Sequence, residues 1–292
     1  MNIEKETLFY KDFFSLAFIF IICFLFGQLL SGGIIFAVYG QDALNFKKIL
    51  SNPSDNLNSI RFAQIISSVI TFGLPAVTFS ILKKKHSFGY GLESKNNIQW
   101  LLVFITPLLV LTIYPFLNLV FVLNKESFLG QLMLEQQEQY QMFIVALLKP
   151  KSIFYFLFNF LLIAVLPAFL EEFFFRGTLQ RLLTERLNIH LAILISSIIF
   201  SLIHFEFSAF LPRIVLGMLL GYAFYWSGSI WVAIFIHLFN NGLEVTLMYL
   251  KNLHLISGKL TDAPQMPTHT ELVGYSILFI ILSILFYRFS KR

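Results

Sequence analysis

Charge is scarce in this chain. Of its 292 residues, 13% are Asp, Glu, Lys or Arg, against about 25% in an average water-soluble domain. The hydrophobic set makes up 57% and the mean hydropathy is +0.77, so half the expected charge is missing and lipid is the solvent that the composition fits. Cysteine is scarcer still. A single Cys23 excludes an internal disulfide and a cysteine-based zinc cluster, and its apolar surroundings make it a small buried hydrophobe. Glycine (15) and proline (9) are too few, and phenylalanine (36) too abundant, for a disordered or collagen-like chain, because so much apolar surface must be covered. The net charge of +5 is spread out, not gathered on a face with interleaved aromatics, so no nucleic-acid partner is expected.

What is present is long apolar runs. Eight of them, approximately Phe13–Tyr39, Phe62–Leu82, Ile98–Leu123, Ile153–Leu170, Leu191–Phe205, Leu211–Trp226, Ile230–Tyr249 and Leu272–Phe289, are candidates to cross a bilayer, which takes about 20 residues each. The expected fold is an all-α polytopic transmembrane bundle of about eight spans, with the short fifth and sixth runs enclosed by the longer helices around a central, polar, buried site. The apolar core of the first run exceeds that of a secretory signal and no small-x-small site closes it, so it reads as retained. Lys5, Lys11, Lys83, Lys84, Lys85, Lys95, Arg288, Lys291 and Arg292 flank the spans on one side, which puts both termini in the cytoplasm, although Lys47, Lys48, Lys149 and Lys151 fall on the other side. Ser127–Leu148, with Gln131, Glu135, Gln136, Gln137, Glu138 and Gln139 between apolar flanks, reads as a helix near the outer surface. The Lys251–Thr270 connection, with Pro264 and Pro267, is an ordinary loop.

The informative residues are those that lipid tolerates poorly, since an ionisable group at a helix centre costs about 2.5–3.5 kcal/mol on insertion scales. Here they cluster: Glu171 and Glu172 end the fourth span, His204 ends the fifth, and His237 with Asn241 lies in the seventh. Successive helical residues point about 100° apart, so Glu171 and Glu172 should not aim at one point. Glu172 and Arg176, at i, i+4, can form an internal ion pair, which leaves Glu171 facing the interior. His237 and Asn241 share that spacing, as do Phe200 and His204, where the aromatic can shield the imidazole and hold its ring. Glu206 and Glu244 sit at span edges as structural or solvated groups. Gly217 and Gly221 form a GxxxG pattern for close helix packing.

A carboxylate and an imidazole can take a proton from water and pass it to a leaving amine while a second imidazole and a carboxamide stabilise the oxyanion, which is amide hydrolysis. The same Glu171, His204 and His237 can instead ligate a divalent metal such as zinc through one oxygen and two nitrogens, with an activated water in the fourth position. Both versions stand at this level, with Asn241 as an oxyanion or substrate-orienting donor in each. Other intramembrane protease signatures are missing: no HExxH, no GxGD, no GxSx serine with a partnered histidine, and no histidine in the span of Cys23.

The runs EEFFFRG (Glu171 to Gly177), FSLIH (Phe200 to His204) and HLFNN (His237 to Asn241) resemble the EExxxR, FxxxH and HxxxN motifs of the CPBP family, also called Abi. That family comprises CAAX prenyl endopeptidases of the Ras-converting type, bacteriocin-processing proteins and bacteriocin-immunity proteins. The resemblance implies a membrane protease with a conical catalytic cavity. Glu171 corresponds to the water-activating carboxylate, His204 to its catalytic partner, and His237 and Asn241 to the pair completing the site, with Glu172, Arg176 and Phe200 in support. It further implies a catalytic core over 151–250, between N-terminal helices (1–150) and a loop with the last helix (251–292), all one membrane-embedded unit. The expected partners are the bilayer and a peptide or membrane-protein substrate. The Phe- and Ile-rich composition resembles that of an AT-rich bacterial genome, so the expected location is a bacterial cytoplasmic membrane. The rival readings are a non-catalytic immunity or scaffold protein of the same family, and a proton-relaying transporter. The latter is disfavoured because residues 1–150 hold no second copy of the cluster.

Overall fold

The computed structural model describes residues 3–44, 49, 57–83, 98–128, 131, 142, 145–148, 152–256 and 265–290. Most of the expected outer helix, including Glu135 to Gln139, and the flanking Lys47, Lys48, Lys84, Lys85, Lys95, Lys149, Lys151, Lys291 and Arg292 lie outside the described residues, as does Pro264. The described residues form no strand. Their long helices are α1 (Ile3–Tyr39), α2 (Asn58–Leu82), α3 (Ile98–Glu126), α4 (Ile153–Thr184), α5 (Ile189–Leu202), α6 (Phe210–Ser227), α7 (Ile230–Asn252) and α8 (His269–Ser290).

Seven of the eight are long and apolar enough to cross a membrane, so the chain is an integral membrane protein. The exception is α5, one of the two runs expected to be short and enclosed. Its 14 residues reach about 21 Å at 1.5 Å per residue, short of a hydrocarbon core of about 30 Å. Asn188 starts it, its side chain accepting from the Leu191 amide at 2.9 Å, an N-cap one turn earlier than the apolar run alone implied. One face of α5, with Ala192, Ile193, Ser196, Ser197 and Phe200, is buried, while Leu191, Leu194 and Leu202 are exposed. It is therefore an inner helix on one side only.

Proline shapes two of the spans. Pro75 and Pro167 each follow a wide π-type turn, Val69–Gly73 in α2 and Leu161–Val165 in α4. Proline has no N–H and its ring clashes with the carbonyl four residues back, so the turn before it widens. A third π stretch, Phe173–Gln180, follows the two glutamates.

Two apolar clusters hold the bundle together, and α4 belongs to both. Ala168, Phe169 and Phe173 pack with residues of α3, α6, α7 and α8. Leu170, Phe174, Phe175, Leu179, Leu182 and Leu183 pack with residues of α1, α2 and α5. The helix that carries the glutamates is thus fixed from both sides. At the α5–α6 crossing the glycine pattern acts as expected: a Cβ on Gly217 would lie 2.9 Å from Ser197 Cβ, and one on Gly221 would lie 2.8 Å from Ile193 Cγ2. Only glycine permits this approach.

Candidate active site

Three helices bring the expected residues together. Glu171 Oε2 lies 3.7 Å from His204 Nε2 and 3.9 Å from His237 Nε2. The Glu171 side chain is buried, and its Oε2 has no hydrogen-bond partner. His204 is the most open member, with 28% of its side chain exposed.

Hydrogen bonds set the tautomer of each imidazole. His204 Nδ1 is 2.7 Å from the Phe200 carbonyl oxygen, which can only accept, so Nδ1 carries a hydrogen. His237 Nδ1 is 2.8 Å from Glu172 Oε1 and donates to that carboxylate. In the neutral rings both Nε2 atoms then present lone pairs toward Glu171. A carboxylate oxygen and two imidazole lone pairs facing one space are three acceptors without a donor, an arrangement that calls for a water, a proton or a cation among them.

Glu172 and Arg176 form the expected ion pair, Nη1 to Oε1 at 2.9 Å, with both side chains essentially inaccessible at 0% and 1%. The structure corrects one part of the reading. The two glutamates do not serve separate targets: they flank the His237 ring, Glu172 at Nδ1 and Glu171 toward Nε2. Side-chain length and the two ring nitrogens let residues 100° apart reach opposite edges of one imidazole.

Below the pair, Arg176 Nη2 donates to the Gly217 carbonyl at 2.9 Å and Gln180 Nε2 to the Gly221 carbonyl at 3.2 Å. Glycine lets α6 come close enough for a stripe of i, i+4 side chains on α4 to read its backbone. Gln180 was not singled out from the sequence, although its spacing from Arg176 was a usable signal. The Phe200 ring fills the centre, 4.9 Å from His204 and 5.9 Å from His237, both edge-on, and the Arg176 guanidinium lies 5.0 Å from its centroid. It shields both imidazoles from lipid.

Asn241 sits one turn along α7 from His237. Its Nδ2 donates to the Ile163 carbonyl at 3.3 Å, and its Oδ1 accepts from Asn240 Nδ2 at 3.1 Å. Ile163 is the residue four before Pro167, so the proline frees the acceptor that holds Asn241. This support, and the ion pair of Arg213 with Glu206 at 2.5 Å beside the site, was not legible in the sequence. Glu206 is structural, as expected.

The donor set of Glu171, His204 and His237 matches the chemistry of a His2Glu zinc site. Among the described residues, however, no group of three or more His, Cys, Asp or Glu is drawn close enough to hold a metal ion. Ligand pairs around a tetrahedral zinc with bonds of 2.0–2.1 Å lie about 3.3 Å apart, so the observed separations would have to close by a few tenths of an ångström. The orphaned Glu171 oxygen and the paired lone pairs fit such a cation, as they fit a water.

Residues 153–243 match the family model described as Type II CAAX prenyl endopeptidase Rce1-like. The matched stretch contains all seven residues of the three motifs. No curated protein and no solved structure matches the chain. This segment, on helices that converge a carboxylate and two imidazoles, is where the chain is similar to the CAAX prenyl endopeptidases.

Proposed function

We propose that this protein is an intramembrane endopeptidase that hydrolyses a peptide bond of a membrane-associated protein or peptide, with Glu171 as the base that activates water. The observation that carries this reading is the buried, unpartnered Glu171 Oε2 facing two imidazole nitrogens. A water between them can donate to Glu171 and to His204 Nε2 while directing a lone pair at a substrate carbonyl. Glu171 takes the proton as the C–O bond forms and passes it to His204 Nε2, 3.7 Å away, and His204 delivers it to the leaving nitrogen as the C–N bond breaks.

His237 and Asn241 stabilise the oxyanion. With Nδ1–H held by Glu172, His237 can donate from Nε2 only as imidazolium, and the Glu172 carboxylate stabilises that form. Arg176 in turn holds Glu172 in place through the ion pair at 2.9 Å. A divalent metal would be held by Glu171, His204 and His237, where it would supply Lewis acidity and lower the pKa of bound water. The substrate class follows the family at its coarsest level, a peptide presented at a bilayer.

The test is cleavage of a library of lipid-anchored peptides by the detergent-purified protein reconstituted in vesicles, with metal content measured before and after chelation. Cleavage is expected. Chelator-resistant turnover in metal-free protein would eliminate the metal version, and no cleavage of any peptide would favour the non-catalytic reading.

A further inference from the structure

Phe205, the residue after His204, carries a left-handed backbone, φ +53°. That conformation suits glycine or asparagine, and for a bulky side chain it is an outlier that the surroundings must hold in place. Its neighbours do so: His204 is tied through Nδ1 to the Phe200 carbonyl, the Phe205 amide bonds to the Leu202 carbonyl at 3.1 Å, and Glu206 is fixed by Arg213. The phenyl ring, however, gains little from the fold. Phe205 is 61% exposed, and among the described residues its ring meets the ring of Phe24 of α1, centroids 5.8 Å apart.

A strained aromatic that is not buried and that adjoins the most open member of a reaction centre serves something outside the fold. Lipid does not explain it, because any apolar residue at an ordinary φ would satisfy lipid. The ring instead meets Phe24 of α1, and the residue before it, His204, is the most open member of the site. From Phe24 the aromatic face continues to Phe20 (6.2 Å) and on to Phe174 (4.8 Å), so the pair is the exposed end of a rigid wall.

We propose that Phe205, with Phe24, is a specificity-determining contact that receives a large apolar side chain of the substrate next to the scissile bond. The assignment rests on the reading of His204 as part of the reaction centre. The turn ties the ring to the residue adjoining His204 and Phe24 packs against it, so a substrate side chain lying against the pair would lie next to the site.

The test uses a positional library of lipid-anchored, self-quenched peptides with Leu or Ala at each position in turn, assayed on the full-length protein in vesicles. Wild type should prefer Leu over Ala at one position by about tenfold in kcat/KM, the discrimination a few methylenes give in an apolar pocket. Phe205→Gly, which relaxes the backbone while deleting the ring, should erase that preference mainly through KM. Phe205→Trp should keep it. A preference that survives in Phe205→Gly, or its absence in wild type, overturns the proposal. Equilibrium binding of the same Leu and Ala peptides to wild type and Phe205→Gly separates this outcome from failure of the hydrolase reading. If Glu171→Gln cleaves as fast as wild type, or no protein cleaves, the binding preference still decides the role of Phe205.

Discussion

Among the described residues two arginines, Arg61 and Arg176, are buried, and they are treated in opposite ways. Arg61 on α2 donates from Nε to Asn159 Oδ1 (2.9 Å), from Nη1 to Asn58 Oδ1 (3.0 Å) and from Nη2 to the Leu147 carbonyl (3.0 Å), with Tyr155 under its guanidinium. Asn159 bonds the same Leu147 carbonyl at 2.6 Å. All these partners are neutral, and each of the arginine's three nitrogens is used. Arg176 has a carboxylate partner, yet its Nε, Glu172 Oε2, Glu171 Oε2 and, one turn on, Gln180 Oε1 are all buried without a partner.

A saturated polar cluster fixes helices, here α2, α4 and the segment around Leu147. An unsaturated one keeps hydrogen-bonding capacity in reserve, at about 1–3 kcal/mol per unmet group, and that reserve is what binding water or a substrate would use. The contrast between the two arginines therefore separates scaffold from chemistry more sharply than burial does, since both are almost fully inaccessible.

Three substitutions test that contrast. The largest effect belongs to Glu171→Gln: turnover of a cleaved peptide should fall about 10²–10⁴-fold, the range for a general base. Melting temperature in detergent should hold or rise, because an unpaired buried carboxylate is gone. Next, Arg176→Leu leaves Glu172 as an uncompensated buried charge and should destabilise by about 3–5 kcal/mol, with activity lost from the folded fraction too. Chemical denaturation and specific activity together would show this, and recovery of stability on adding Glu172→Gln would sharpen it. The smallest effect is that of Arg61→Met, which removes donors but strands no charge and should cost about 1–3 kcal/mol for each acceptor left unmet. The folded fraction should remain active. Loss of activity in Arg61→Met without loss of stability would break the division between the clusters.

Much of this was legible in the sequence because lipid makes polar residues conspicuous. Glu171, Glu172, Arg176, His204, His237 and Asn241 stand out against runs of Phe, Ile and Leu, and i, i+4 spacing supplied the Glu172–Arg176 pair and the Phe200–His204 stack. The Gly217–Gly221 packing was equally plain, since small residues four apart have few other uses in a span. Other features were hidden for physical reasons. Both glutamates reach one imidazole because a ring has two nitrogens, which angular spacing on a helix does not reveal. The carbonyl of Ile163 becomes an acceptor only through Pro167 and the widened turn before it. The shortness of α5 depends on a cap at Asn188 and on a left-handed residue at Phe205, where periodicity showed only an apolar run.

The central claim is that Glu171 and His204 act as one unit on one water, and a double-mutant cycle on turnover tests it most directly. If they share that water, Glu171→Gln/His204→Ala should be no slower than the worse single variant by more than about threefold, as for residues that work together in catalysis. Rate losses that multiply, with each substitution contributing its full factor in the presence of the other, would contradict the account.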